Sequence, residues 1–254
     1  GAGGMIRATH IRLAPDLAVL LIAVHHSIFD GFSIGVLSDE LGTAAAAFVR
    51  GATPDLPELA LQFGDYTLWK QQLLASGVAA EDTAYWKNQL SGAHYFELVP
   101  DHERPENRSG RVESLMLPLG PDFDARITAA AQARQVSRFV IGAAVVSDCL
   151  QQMTGQPEVI FGTPIAGRVE TELEHVIGPL VGSHALRIKP RGEGSMDAHI
   201  AATKIVVEGA LAHQHLPFSK VVAAVNPPRD SSRSPIVSTF FNLLQMFLQE
   251  RDFG

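Results

Sequence analysis

His25-His26-Ser27-Ile28-Phe29-Asp30-Gly31 is the stretch on which the fold of this chain turns. It follows the apolar run Ala18-Val19-Leu20-Leu21-Ile22-Ala23-Val24, which reads as a β-strand. Two histidines therefore close a strand, and beyond Asp30-Gly31 a helix is expected from near Ser33 to Arg50. Loops at strand ends, held by a rigid scaffold, commonly carry catalytic groups. Imidazole, with an ordinary pKa of about 6.5, is the side chain best suited to moving protons near neutral pH. Alternation along the strand places His25 and His26 on opposite faces. Asp30 either orients an imidazole or pairs with an arginine to fix the loop. Gly31 lets the backbone turn sharply after the aspartate.

Working outward, Met5 to Leu13 and Ala18 to His25 read as two strands joined at Ala14-Pro15-Asp16. Helices are expected over Leu61 to Ala75 and Glu81 to Leu90. Tyr66, Trp69, Tyr85 and Trp86 lie on them as packing anchors. Residues 100–110 are polar and Pro-containing and read as a linker. They divide the chain into 1–99, 100–110 and 111–254. Beyond the linker, strands are expected over Arg111 to Leu119, Val159 to Ile165, Leu180 to Ile188 and Ile236 to Leu244. Helices are expected over Pro121 to Arg134, from an N-cap at Ser137 to about Met153, and over Met196 to His213. This irregular alternation of strands and helices implies an α/β or α+β layered fold.

The chain has 254 residues, 46% hydrophobic and 19% charged, with a formal net charge of −7. That composition suits a globular protein with a substantial core. Without a basic run, nucleic acid is not an expected partner. Apolar runs fall short of the ~20 residues that span a bilayer, so no membrane is expected either. Cys149 is the only cysteine, which excludes an internal disulfide and a cysteine metal cluster and fits a cytoplasmic setting. His213 and His215 have the spacing of a metal pair but lack a third ligand nearby, so no metal is expected. Ser183 lacks a G-x-S-x-G context, and no GxxxxGK[ST] or GxGxxG follows a strand.

Further segments stand in a fixed order behind the histidine loop: Phe63-Gly64-Asp65-Tyr66-Thr67-Leu68-Trp69, Phe161-Gly162-Thr163-Pro164-Ile165-Ala166-Gly167-Arg168, Ile177-Gly178-Pro179-Leu180-Val181-Gly182-Ser183 ending at Arg187, His213-Gln214-His215-Leu216-Pro217-Phe218, and Arg229-Asp230-Ser231-Ser232-Arg233-Ser234-Pro235. With HHxxxDG they resemble the YxDYAxWQ, GTPxAGR, IGxFVNTxxxR, HQDxPFE and RDxSRNP motifs of the condensation domains of nonribosomal peptide synthetases. The resemblance runs from about Met5 to Gln249. Gly182-Ser183 replaces the usual Asn-Thr pair, His215 the aspartate of HQD, Ser219 the glutamate after Pro-Phe, and Phe32 a frequent tryptophan.

The resemblance implies a chloramphenicol-acetyltransferase-like two-lobe fold, present here in part and apparently truncated at both ends. The chain would then comprise the end of the N-terminal lobe, the linker and part of the C-terminal lobe. It implies amide formation between a carrier-bound acyl or peptidyl thioester and a carrier-bound aminoacyl acceptor, with no cofactor bound directly. The substrates ride on phosphopantetheine arms, and the partners are donor and acceptor carrier proteins and a neighbouring adenylation domain. By position in the motif His26 is the catalytic residue, His25, Asp30 and Gly31 are structural, and Asp30 pairs with Arg187. Ser183 and His184 stand near the substrate tunnel. Alternatives are an ester-forming acyltransferase that uses a carrier or coenzyme A thioester, and a noncatalytic docking platform. The chain alone is expected to be inactive and prone to associate.

Overall fold

A computed structural model describes residues 4–103, 111–228, 230 and 232–244. The chain separates into two compact units. One takes in the residues up to Gln72 together with Ala166–Val181, and the other comprises Leu73–Ile165 and Gly182–Leu244. The units part at these points, whereas the sequence reading set the division at 100–110. Residues 104–110, most of that expected linker, lie outside the described residues.

The first unit opens with an antiparallel hairpin, β1 (Ile6–Ala14) against β2 (Leu17–Val24), in register from Ile6↔Val24 to Arg12↔Ala18, with a shift before Ala14↔Leu17. The Arg12 guanidinium donates to the carbonyls of Ala14 and Pro15 and braces the turn. Both faces of the hairpin are largely open, with Ile11, Leu20 and Leu21 all exposed. Next comes α1 (Gly31–Val49), whose N-cap is Asp30 rather than a residue near Ser33. By length and composition α1 could cross a membrane, against the expectation that apolar stretches fall short of that length. It carries Asp39 and Glu40 at its centre, charges that are costly in hydrocarbon.

In α2 (Phe63–Ala75) the residues Phe63, Tyr66 and Trp69 recur every three positions, and successive ring centroids are 5.9 Å apart. This ladder packs with Leu61 on Leu173, Val176 and Leu180. The expected role of Tyr66 and Trp69 as packing anchors is what they perform.

The second unit is built on helices around a two-stranded antiparallel sheet. Its helices are α3 (Gly77–Leu90), α4 (Pro121–Arg134), α5 (Arg138–Thr154), α6 (Met196–Ala212) and α7 (Phe218–Val225). β3 (Val159–Ile165) pairs with β4 (Gly182–Ile188), from Val159↔Ile188 to Ile165↔Gly182. Ser137 caps α5 and Ser195 caps α6, each accepting from the amide three residues on. The core joins Trp86, Phe96, Ile160, Phe161, Leu186 and Val221, each contributing roughly 1.5–3 kcal/mol through burial.

Two expected strands are not formed. Residues 111–119 form no strand, and Val112, Leu115 and Met116 are exposed. Alternation marks a strand only where a partner supplies the ladder. Over 236–244 the chain makes only isolated parallel bridges, Phe96↔Val237 and Gly162↔Phe240.

Candidate active site

β2 ends at Val24, and the His25 amide makes the last hairpin contact, donating to the Met5 carbonyl at 2.8 Å. His26 and Ser27 form a turn. His25 Nδ1 accepts from the Ser27 amide at 3.2 Å and lies 2.8 Å from Ser27 Oγ. A nitrogen that accepts from an amide carries no proton, so in the neutral ring the proton sits on Nε2. His26 Nδ1 lies 2.6 Å from the Phe29 carbonyl. A carbonyl only accepts, so this Nδ1 donates, and the neutral ring keeps its lone pair on Nε2. The two histidines thus have opposite tautomers. Both are exposed, so burial does not set the two apart. The strand has already ended, and the hairpin offers no buried face for alternation to select.

Asp30 sits behind this loop, 2% exposed. Its Oδ1 accepts from the Ser33 amide and hydroxyl, both at 2.9 Å, and from Arg168 Nη2 at 3.1 Å. Its Oδ2 accepts from Arg168 Nη1 at 2.9 Å and from the amides of Leu180 and Val181 at 3.0 and 3.2 Å. Burial alone would raise the carboxyl's pKa. The Arg168 hydrogen bonds, the Ser33 donors and the Arg168 charge outweigh it and hold the group below its ordinary range. The expected partner, Arg187, is not the one used. Arg168, at the end of the GTPIAGR segment, makes the bidentate pair because residues 166–181 fold back onto the start of α1.

Arg168 is held equally firmly. Nη2 donates to the Val176 carbonyl and Nη1 to that of Ala166, while Phe32 lies 5.2 Å from the guanidinium carbon. The α2 ladder closes this region, and burial pushes the Tyr66 phenol up, opposed by the Arg168 charge and reinforced by that of Asp30. Two glycines permit the close packing. A Cβ on Gly178 would meet the Phe63 ring at 2.4 Å. Gly167 has φ +69°, and a Cβ there would lie 2.1 Å from the Leu180 carbonyl oxygen.

The other expected site residues have different surroundings. Gly31 is the first residue of α1 and has no positive φ, so its turning freedom is not used. Arg187 is in the second unit, where Nε pairs with Glu158 at 2.7 Å and Nη1 donates to the carbonyls of Gln89 and Ser91. Burial alone would raise the Glu158 carboxyl, yet Arg187 and the His94 amide keep it below its usual range. His184 is 3% exposed and stacks on Trp86 with centroids 4.9 Å apart. Its surroundings are those of a residue packed in the second unit. Ser183 is half-buried opposite Pro164 in the sheet.

His213 Nδ1 lies 2.9 Å from Asp82, whose other oxygen takes the amides of His215 and Leu216. The HQHLPF segment is thereby anchored. Arg233 of RDSSRSP pairs with Glu97 at 2.7 Å, while Arg229 and Ser231 lie outside the described residues. Among the described residues no group of three or more His, Cys, Asp or Glu side chains is placed to hold a metal. Sequence reasoning missed Arg168 and Ser33 as parts of the site, although both stand inside or beside quoted motifs.

The Condensation domain family matches residues 2–253, and the chain belongs to that family. It is 33% identical over 240 residues to malpinin synthetase of Mortierella alpina, covering 94% of this chain and 3% of that protein. It is 32% identical to a dimodular nonribosomal peptide synthase of Bacillus subtilis, covering 91% of this chain and 10% of that protein. Among solved structures it resembles the X-domain from teicoplanin biosynthesis, with TM-score 0.81, 25% identity, 93% of this chain and 54% of that one. The first condensation domain of the CDA synthetase gives TM-score 0.76 at 20% identity, over 99% of this chain and 54% of that one. The fold is therefore the chloramphenicol-acetyltransferase-like α/β fold of condensation domains. The chain spans about half the length of these solved domains and a small fraction of the curated synthetases.

Proposed function

We propose that this chain takes part in amide-bond formation between a carrier-bound acyl or peptidyl thioester and a carrier-bound aminoacyl acceptor, with His26 as the acting group. The observation that carries the reading is the His26 tautomer. With Nδ1–H given to the Phe29 carbonyl, the neutral ring offers only an acceptor at Nε2. That suits a group that receives the proton of an attacking amine, whereas an oxyanion needs a donor. The amine nitrogen forms the new bond to the thioester carbonyl carbon and the carbon–sulfur bond breaks. The proton taken by Nε2 passes to the departing thiolate. Substrates held on phosphopantetheine arms bring amine and thioester together, so that positioning contributes much of the rate. On this reading the partners are donor and acceptor carrier proteins and an adenylation domain of the same cytoplasmic assembly.

A second reading is favoured by one specific likeness. The teicoplanin X-domain, in a solved structure that matches this chain with TM-score 0.79 and 26% identity, is complexed with OxyB. A noncatalytic docking platform would leave His26 without a task. The test is to load donor and acceptor carriers in the full-length protein and weigh the acceptor arm by mass spectrometry. Gain of the donor acyl mass as a hydroxylamine-stable amide is expected. A hydroxylamine-labile product formed on a hydroxyl acceptor would support ester formation, and no transfer would support the platform.

A further inference from the structure

We propose that Ser33 is a positioning residue for His26, its hydroxyl fixing the histidine loop to the Gly178 turn. This rests on the reading of His26 as the proton acceptor. Ser33 is wholly buried. The Gly178 amide donates to Ser33 Oγ at 3.0 Å. The single hydroxyl proton has two acceptors in reach, Asp30 Oδ1 at 2.9 Å and the Gly178 carbonyl at 3.2 Å. The shorter contact is to an ionised carboxylate, and charge-assisted bonds are the stronger, so the proton goes to Asp30.

The hydroxyl is therefore a relay in a directed chain, from Gly178 N–H to Ser33 Oγ to Asp30 Oδ1. Asp30 already caps α1 through the Ser33 amide, so the amide of residue 33 alone suffices to start the helix. What the hydroxyl adds is a cross-link between two segments 145 positions apart in sequence. The consequence reaches the histidine through one peptide unit. The Phe29 carbonyl, joined directly to the Asp30 nitrogen, is the acceptor that holds His26 Nδ1 at 2.6 Å. A shift of Asp30 moves that carbonyl, and with it the ring orientation and the tautomer that leaves Nε2 unprotonated.

The test is a double-variant cycle in the full-length protein, following amide formation with both carriers loaded. Ser33→Ala is expected to lower kcat by about 10- to 100-fold, the scale of losing alignment of a reacting group, with the KM for each carrier unchanged. Ser33→Thr, which keeps the hydroxyl, is expected to recover most of the rate. In a His26→Ala background Ser33→Ala is expected to cost nothing further, since its effect passes through that ring. Should Ser33→Ala not fold, Ser33→Cys, close in size but a poor hydrogen bonder, takes its place in the cycle.

A folded Ser33→Ala or Ser33→Cys with wild-type kcat, or independent effects of the two substitutions, would overturn the proposal. An unchanged rate in His26→Ala alone would instead refute the role of His26. A folded Ser33→Thr as slow as the variant lacking the hydroxyl would overturn the assignment to that group.

Discussion

Replacing Arg168 by methionine tests the internal support of the histidine loop. The Arg168 side chain is 5% exposed and that of Asp30 1%, so the substitution strands a carboxylate away from water. Removing one partner of a buried ion pair costs about 3–5 kcal/mol. Asp30 would keep four donors, the Ser33 amide and hydroxyl and the amides of Leu180 and Val181, which favours the lower end. Against that, the Val176 and Ala166 carbonyls lose a donor each, at about 1 kcal/mol apiece. A loss of about 3–5 kcal/mol is expected. Asp30→Asn should cost a similar amount, because an amide cannot accept at every position where the carboxylate does. The double variant, which removes both charges, should be more stable than the summed single losses by about 1–3 kcal/mol. Urea unfolding followed by circular dichroism and by tryptophan fluorescence measures all three. A loss below about 1 kcal/mol in Arg168→Met, or strict additivity, would refute the claim that this pair organises the loop.

Gly167→Ala combines a positive φ with a Cβ placed 2.1 Å from the Leu180 oxygen and should cost more than the roughly 1–3 kcal/mol of backbone strain alone, read as a lower urea midpoint. Gly31→Ala should change stability by no more than about 0.5 kcal/mol, since nothing lies within 4 Å of the added Cβ; a large loss would mean that its backbone freedom is used after all. The carboxyls of Asp30 and Glu158 are both held below their ordinary values. The stability they contribute is present above their unfolded pKa values, about 3.9 and 4.3, and is lost as pH falls through the lower folded values. Urea midpoints should therefore drop on acidification below about pH 4, with a shallower drop in Glu158→Gln and Asp30→Asn.

The histidine loop was legible because an apolar strand, two histidines and Asp-Gly are local signals, and most helices followed for the same reason. α4 and β3 match their expected limits, and Ser137 is the α5 cap. α7 escaped notice although Phe218, Val221, Val222 and Val225 stand at helical spacing after Pro217. The partner of Asp30 was not legible. Arg168 and Arg187 both end recognisable segments, and only the return of residues 166–181 to the head of α1 decides between them. Residues 111–119 failed for a related reason, since alternation describes what a strand can bury and says nothing about whether a neighbour is there. The stacking of His184 on Trp86 was not legible either, because a histidine in a strand reads the same whatever it packs on.

The most direct measurement is the single-turnover rate of amide formation in the full-length protein with His26→Ala, both carriers loaded and acyl transfer sampled by rapid quench. Loss of the Nε2 acceptor is predicted to slow transfer by roughly 10²–10⁴-fold while carrier affinity is retained. A variant that transfers the acyl group within about threefold of the wild-type rate would contradict the account and leave catalysis to positioning alone.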